Sequence, residues 1–376
     1  MHAEFPISEE IAYLNHAAVS VWPRRTAETV RAFADENMRR GAMDYPGWLK
    51  IERELRGRLK RLLNADSADD IALLKNTSEG LSLVAYGLDW DRGDNIVSTN
   101  QEFPSNRIAW ESLANQGVTL RLADISGDDP EGAIIALCDG HTRLLAVSSV
   151  QYGTGLRLDM KRLGAFCRER GILFCIDAIQ SLGALRFDAL DCCADVVVAD
   201  GHKWMMGPEG LAVFYTNAVV RERLRLLQYG WHMVEHAGDF DRRDWMPSGS
   251  ACRFEPGSPN MLGIHALNAS LSLLEEEGMA AVEAGVLEKA RQIMDRVSAR
   301  EDMELVTSPV NGRFAGIVTF RCRKLDVQGH AALYRQLMQS SVICAHRGGG
   351  IRFSPHYYTN PDTIERAWYI FEKLLV

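Results

Sequence analysis

No apolar run in the chain approaches the roughly 18 residues of a membrane-spanning helix, so no membrane partner is expected. Positive charge is in deficit: 42 Lys and Arg stand against 50 Asp and Glu, a net charge of −8. Nucleic acid needs a basic surface for its phosphates, so this balance argues against it as the main partner. A local basic pocket for a small anion remains open. The eight cysteines include no C-x-x-C pair. Several lie in apolar runs, Cys175 in ILFCID among them, and read as small buried hydrophobes. The N-terminus, MHAEFPISEE, has no basic segment followed by an apolar one, so no signal peptide is expected. A reducing, cytoplasmic setting is the natural reading of both. Two catalytic signatures are also missing. There is no G-x-S-x-G elbow, and YGTGLRLD lacks the third glycine of a dinucleotide fingerprint.

What is present is an ordinary globular composition, 47% hydrophobic and 24% charged, over 376 residues. That length is long for one domain and comfortable for two. Residues 26–63 have helical periodicity, with a break near GAMDYPG. Apolar strands then alternate with helices: DDIALL, DNIVST, VTLRLADI, TRLLAVSSV, ILFCID, CADVVVAD and GLAVFYT. This alternation predicts an α/β fold on a mostly parallel sheet covered on both faces. Ligands of such sheets bind where strands end and loops begin. From about residue 262 the pattern changes to long helices, one β run in FAGIVTFRC, two short strands and a closing helix from Asp362. A smaller C-terminal α+β domain is therefore expected. The large domain is placed at 18–255, with 1–17 and 262–376 forming the small one. RRDWMPSGSACRFEPGSPN, polar and rich in Gly and Pro, reads as the crossover.

Two polar residues are out of place on burial grounds. Asp177 ends the apolar strand ILFCID, and Lys203 follows VVVADGH at the mouth of another. Either alone is better read as a capped or paired carboxylate, or as a lysine snorkelling to water. Together they match the needs of pyridoxal phosphate: a lysine for its Schiff base and an acid that keeps its ring nitrogen protonated. Burial and a nearby ring cation lower the lysine's pKa, so that it serves as nucleophile and proton carrier. NTSEG, residues 76–80, lies between strand and helix, where Thr77, Ser78 and the helix N-terminus suit a phosphate. His202 is placed to donate to the same phosphate, and Phe103 in NQEFPSNR to hold the ring flat. His232 and His236 are spaced i, i+4, but WHMVEH lacks the general-base Glu of H-E-x-x-H, and Gly230 and Gly238 suggest a loop. No metal is expected.

These motifs resemble the class V family of fold-type I pyridoxal-phosphate enzymes. That family includes cysteine desulfurases, selenocysteine lyases, kynureninases and isopenicillin N epimerase-like proteins. YLNHAAVS (13–20), NTSEG (76–80), EFPSNR (102–107), DAIQSLG (177–183), DGHKWMMGPEG (200–210), RFEPGSPN (253–260) and IRFSPHYYTNPDTIE (351–365) occur in the family's order and cover nearly the whole chain. The resemblance implies that Lys203 forms the Schiff base, that Asp177 pairs with the pyridine nitrogen, and that Gln180 bonds the ring's phenolic oxygen. It places Phe103 on the ring face, where desulfurases carry a histidine and kynureninases a phenylalanine. Thr77, Ser78 and His202 are implied at the phosphate. Arg352 is implied as the grip on the substrate carboxylate, a task its planar fork suits, with Asn15 and His16 close to the substrate. Gly257 and Ser258 match a Gly-Thr pair that reaches the phosphate of a partner subunit's site. A homodimer with shared active sites is therefore implied.

The departures bear on the reaction. Desulfurases carry a reactive cysteine on a loop shortly before the substrate arginine. Here that stretch holds Cys344 in SSVICAHRGGGIRFS, an apolar run with a compact glycine triplet and no His-His-Cys loop, so Cys344 reads as structural. Cys252 is a weaker candidate. SSVQYGTG offers Ser149, Gln151 and Tyr152 where desulfurases have a cofactor-contacting asparagine, and Gly201 stands where they often carry serine. The expected activity is that of an enzyme acting on an amino acid through Lys203, with an aminotransferase as the first reading. The alternatives are β-elimination of the cysteine desulfurase or selenocysteine lyase type, epimerisation, and non-catalytic cofactor binding.

Overall fold

Val196–Asp200 shows how the sequence builds the central sheet. All five residues are buried. Val197 and Ala199 enter one apolar core and Val196 and Val198 another, so both faces are covered and the run shows no polar alternation. Leu173–Asp177 repeats the pattern, with Phe174 and Ile176 on one side and Cys175 on the other. The computed structural model describes residues 2–375. In it, seven strands lie in the order Ile71–Leu74, Ala212–Thr216, Val196–Asp200, Leu173–Asp177, Thr142–Ser148, Asn95–Thr99 and Thr119–Ala123. Pairing is parallel from Val196–Asp200 to Thr119–Ala123. Ala212–Thr216 is antiparallel to both its neighbours, so Ile71–Leu74 points the same way as the other five. This is the mostly parallel, doubly covered sheet that the alternating pattern predicts.

A four-stranded antiparallel sheet, in the order Ala345–Arg347, Gly350–Phe353, Val318–Cys322 and Met303–Leu305, carries the C-terminal part. Helices Val327–Gln339 and Pro361–Leu375 close a separate core over it, through Leu333, Leu337, Ile364 and Phe371. Ala12–Tyr13 pairs in parallel with Val342–Ile343, which ties the N-terminal segment to this part. The core contacts run across the boundary expected at residue 262. Helix Met261–Glu277 packs on Arg24–Arg40 and Tyr45–Leu63, and its Ile264, Leu267 and Leu271 share the core of the large sheet. The next helix, Met279–Ser298, passes from one core to the other: Val282 and Val286 lie in the large one, Ala290, Ile293 and Met294 in the small one. An apolar stripe reads alike in sequence whichever layer it covers.

The segment expected as the crossover is not a free linker along its whole length. Ala251 and Phe254 are buried under the large sheet. Glu255 takes two hydrogen bonds of 2.8 Å from the Arg56 guanidinium and one of 2.9 Å from Leu73 N–H. Removing one partner of such a buried pair costs about 3–5 kcal/mol, because the other charge is left unpaired.

Candidate active site

Because six strands of the large sheet run the same way, their C-terminal ends share one edge. Asp177, Asp200, Ser148 and Thr99 are each the last residue of a strand. Register pairs Ser148 with Asp177 and Asp177 with Val198. The turns that follow deliver Phe103, Tyr152, Gln180 and Lys203 to that edge.

The Lys203 amine lies 5.6 Å from the centroid of the Phe103 ring. Burial lowers its pKa to about 8, Asp177 opposes that shift, and Arg352 and Arg347 reinforce it. Asp177 is buried, and its Oδ1 accepts from Ile179 N–H at 3.0 Å. Burial raises the Asp177 carboxyl well above the usual range, the Ile179 bond works against this, Glu102 adds to the rise, and Lys203 opposes it. Each group of this pair thus moderates what burial does to the other.

Trp204, next to the lysine, is the anchor. It is fully buried, its Nε1 donates to Gln180 Oε1 at 2.8 Å, and its carbonyl accepts from His356 Nε2 at 3.0 Å. His356 Nδ1 accepts from Tyr357 N–H at 2.9 Å, which fixes the tautomer that donates to Trp204. Two glycines make room. A Cβ at Gly183 (φ +90°) would lie 2.3 Å from the Trp204 carbonyl oxygen, and one at Gly316 would lie 2.3 Å from its ring.

Arg352 is 2% exposed. Its Nη1 donates to Tyr152 O at 2.8 Å, its Nη2 reaches Asn15 Oδ1 at 3.5 Å, and its Nε has no partner. The Tyr152 ring meets Phe103 edge-on at 5.1 Å. Lys203, Phe103, Tyr152, Arg352 and Asn15 therefore form one contiguous cluster. Gln180 joins it through Trp204, the neighbour of Lys203: its Nε2 donates to Ala17 O at 3.0 Å, and one N–H remains free for a ring oxygen.

At the helix Thr77–Gly87, the Thr77 hydroxyl and N–H both turn to Asp200 Oδ2, at 3.1 and 3.2 Å, so the hydroxyl is committed inside the protein. Ser78 is exposed and donates to Ser105 Oγ at 2.8 Å. His202 Nδ1 is buried without a partner, and burial together with Lys203 lowers its pKa to about 4, which leaves the ring neutral.

Several expected residues lie apart from this cluster. His16 is fully buried behind Trp204, with Nδ1 donating to Ser354 O at 2.8 Å and Nε2 accepting from Tyr358 O–H at 2.7 Å. No ring nitrogen is left for a substrate, so His16 is a strut between the N-terminal segment and the small domain. Gly257 and Ser258 sit in the loop before Met261–Glu277, where Ser258 is exposed and Asn260 Nδ2 ties the loop to Gly210 O at 3.1 Å. Cys344 is buried in the small core, and burial raises its thiol to about 12. The turn after it is a tight hairpin, with Gly348 and Gly349 at φ +60° and +76°. Among the described residues no cluster of three or more His, Cys, Asp or Glu could hold a metal.

The sequence reading gave no role to Glu102. This buried carboxylate accepts from Thr99 Oγ1 at 3.1 Å, Asn106 Nδ2 at 3.0 Å, Ser148 N–H at 2.9 Å and Gln151 Nε2 at 3.0 Å, and also from Ser148 Oγ. An acid directly after a strand and before Phe103 was the only available signal. The loop 151–155 clips the small domain: Gly153 O accepts from Thr319 Oγ1 at 2.8 Å and Thr154 O from Thr307 Oγ1 at 2.6 Å.

Comparison with known proteins places this geometry. The Aminotransferase class-V family model matches residues 12–366. A protein of Methanothermobacter thermautotrophicus named "probable cysteine desulfurase" is 28% identical over 391 residues, covering 99% of this chain and 96% of its own length. Among solved structures, a lysine-to-alanine mutant of C-DES with glycine covalently linked to its PLP cofactor has a TM-score of 0.89 at 21% identity, over 99% of this chain and 98% of its own. The complex of the cystine C–S lyase C-DES with its reaction product, cysteine persulfide, has a TM-score of 0.87 at 21% identity, over 97% of both chains. The residues present fit pyridoxal phosphate. They supply an amine without a hydrogen-bond partner, a buried carboxylate beside it, and an orphaned imidazole nitrogen at the mouth of the strand. The chain belongs to the class V aminotransferase family and is a pyridoxal-phosphate enzyme of fold type I.

Proposed function

We propose that the protein catalyses β-elimination from a sulfur-bearing amino acid, such as cystine, and releases the sulfur directly rather than through a thiol of its own. The relative named as a cysteine desulfurase and the neighbour named as a cystine C–S lyase both cleave carbon–sulfur bonds by name. The single observation that carries the reading is the burial of Cys344. A thiol held at about 12 inside the small core, ahead of a tight hairpin, does not reach a substrate sulfur. Transamination, the first expectation from the sequence, has no comparable observation in its favour.

Pyridoxal phosphate, when bound, supplies the electron sink that makes loss of a Cα proton accessible. Ser78 and His202 would hold its phosphate end, Thr77 being committed to Asp200, while Asp177 would meet its ring nitrogen, Gln180 its ring oxygen and Phe103 its face. Arg352 takes the α-carboxylate and Asn15 steadies the guanidinium, which fixes Cα in front of Lys203. Lys203, with its depressed pKa, accepts the Cα proton. The Cβ–S bond breaks with its electron pair leaving on sulfur, and Lys203 returns the proton to that sulfur. Water converts the released enamine to a 2-oxo acid and ammonia, so no oxidant is needed. Ser258 is exposed and Gly257 half-buried, and the two would complete a partner copy's phosphate site in a homodimer, whose mass by sedimentation would be twice 42.0 kDa.

The test is a product balance on the holoenzyme with cystine. Elimination yields pyruvate, ammonia and cysteine persulfide in equal amounts, with no amino acceptor. A requirement for an added 2-oxo acid would establish transamination instead. Alanine as the product, lost on Cys344→Ala, would establish thiol-relayed desulfuration. Lys203→Ala abolishes turnover and the visible absorbance of the bound cofactor.

A further inference from the structure

The small sheet presents one face to the Lys203 site, and its register says which residues share that face. Cross-strand partners lie on the same side of an antiparallel pair, and residues two apart on a strand do too. Arg352 pairs with Ala345 and with Thr319, while Arg347 pairs with Gly350. Arg347 and Arg352 are therefore diagonal neighbours on one face, with backbones about 7 Å apart.

The hairpin that carries Arg347 is pinned at the mouth of the site. A Cβ at Gly348 would lie 2.6 Å from Gly153 O and 3.1 Å from Thr319 Cγ2, so the turn sits directly on the loop that follows Tyr152. Tyr152 in turn holds Arg352 and abuts Phe103. Arg321 props the turn through Nη2 to Gly348 O at 2.6 Å. Glu304 is cross-strand from Arg321, on the opposite edge strand of the sheet from Arg347. None of the ion pairs among the described residues involves Arg347 or Arg352. Arg347 is exposed and spends Nη1 only on its neighbour's carbonyl, His346 O, at 2.9 Å. The two guanidinium groups are close enough that Arg347 lowers the pKa of both Arg352 and Lys203. Two guanidinium groups with no carboxylate partner, beside one amine, are a recognition arrangement for a dianion.

We propose that Arg347 binds a second carboxylate at the far end of the substrate, so that the site selects an amino acid with a distal anionic group over one with a neutral side chain. This rests on the elimination reading for its choice of sulfur substrates, though not for the anion site itself. Arg352 takes the carboxylate beside the reacting Cα, and Arg347 takes the one beyond the sulfur. Cystine has such a carboxylate; S-ethylcysteine does not.

Two measurements on the holoenzyme test it. First, calorimetric titration compares the inert probes glutarate and butyrate. Glutarate should bind at least tenfold more tightly, and Arg347→Gln should bring the two dissociation constants within about threefold, while Arg347→Lys retains part of the preference. Equal binding in the unaltered protein, or a preference untouched by Arg347→Gln, overturns the proposal. Second, the ratio of kcat/KM for cystine over S-ethylcysteine should fall at least tenfold in Arg347→Gln, with the loss carried by KM for cystine; an unchanged ratio also overturns it. Absence of turnover on both substrates would refute the elimination reading alone, because the binding arm still decides the role of Arg347.

Discussion

Glu102 is the sharpest place to perturb the site without touching a residue that meets cofactor or substrate. In Glu102→Ala the N–H groups of Ser148, Asn106 and Gln151 lose their acceptor, while the two hydroxyls of Thr99 and Ser148 are free to rotate. A buried donor left without an acceptor costs about 1–3 kcal/mol, so three of them, with some water entering the gap, cost about 3–6 kcal/mol. At about 2.1 cal/mol/K per residue, a 376-residue chain unfolds with an entropy of about 0.8 kcal/mol/K, and the melting midpoint drops by about 4–8 °C. The assay is a thermal melt of the apoprotein, where cofactor binding cannot mask the loss. Glu102→Gln keeps the shape and one acceptor and should fall about halfway. The holoenzyme provides a second reading. Glu102 holds Gln151, and the next residue, Tyr152, carries the carbonyl that fixes Arg352. KM for the amino acid should therefore rise several-fold more than kcat falls. A midpoint shift below 1 °C in Glu102→Ala, or a loss confined to kcat, would refute the reasoning.

Further outcomes follow from other parts of the molecule. His16, His202 and His356 are pushed by burial to about 3, 4 and 4, so they are neutral in the fold but take up protons on unfolding below about pH 6.5. The unfolded state then binds more protons, so stability is fully present above about pH 6.5 and falls as the pH drops toward 4. Urea midpoints at pH 7.5, 6.0 and 5.0 should decline in that order, and a flat series would contradict the burial of these rings. Cys344 should resist alkylation in the folded holoenzyme and carry no persulfide by mass spectrometry after turnover; a modified Cys344 would sink the direct-release route. Gly183→Ala places a Cβ against the Trp204 carbonyl at a residue with φ +90°. Cofactor affinity by equilibrium dialysis should weaken at least tenfold, and an unchanged value would mean that Trp204 does not set the lysine.

The sheet and its ligand edge were legible because buried strands leave continuous apolar runs, and a charged residue ending such a run stands out. Asp177 and Lys203 stand out that way as candidates, and Arg352 and Phe103 through the motifs around them. Glu102 stands in one of those motifs but its role is invisible there, because its partners at 148 and 151 come from the end of a different strand and meet those at 99 and 106 only after the strands align. His16 misled for the opposite reason. It lies next to Asn15, which does reach Arg352, but the chain turns at this point, with Ala18 N–H donating back to Asn15 O at 3.0 Å, and the His16 ring enters the interior. The side of the boundary on which Met261–Glu277 falls was equally unreadable, since its stripe fits either core.

The seat of Trp204 makes the two parts of the chain a single mechanical unit. Its walls come from Gly183 and Gln180 on one side and from Gly316 and His356 on the other. An isolated large domain could form its sheet and still leave the neighbouring Lys203 misaimed, because half of the socket would be missing. A chimera that exchanges the C-terminal part for that of a homologue therefore has to match the socket at residues 316 and 356 before any substrate-facing residue matters. Recombination between family members should tolerate joints elsewhere far better than joints that separate the tryptophan from those two positions.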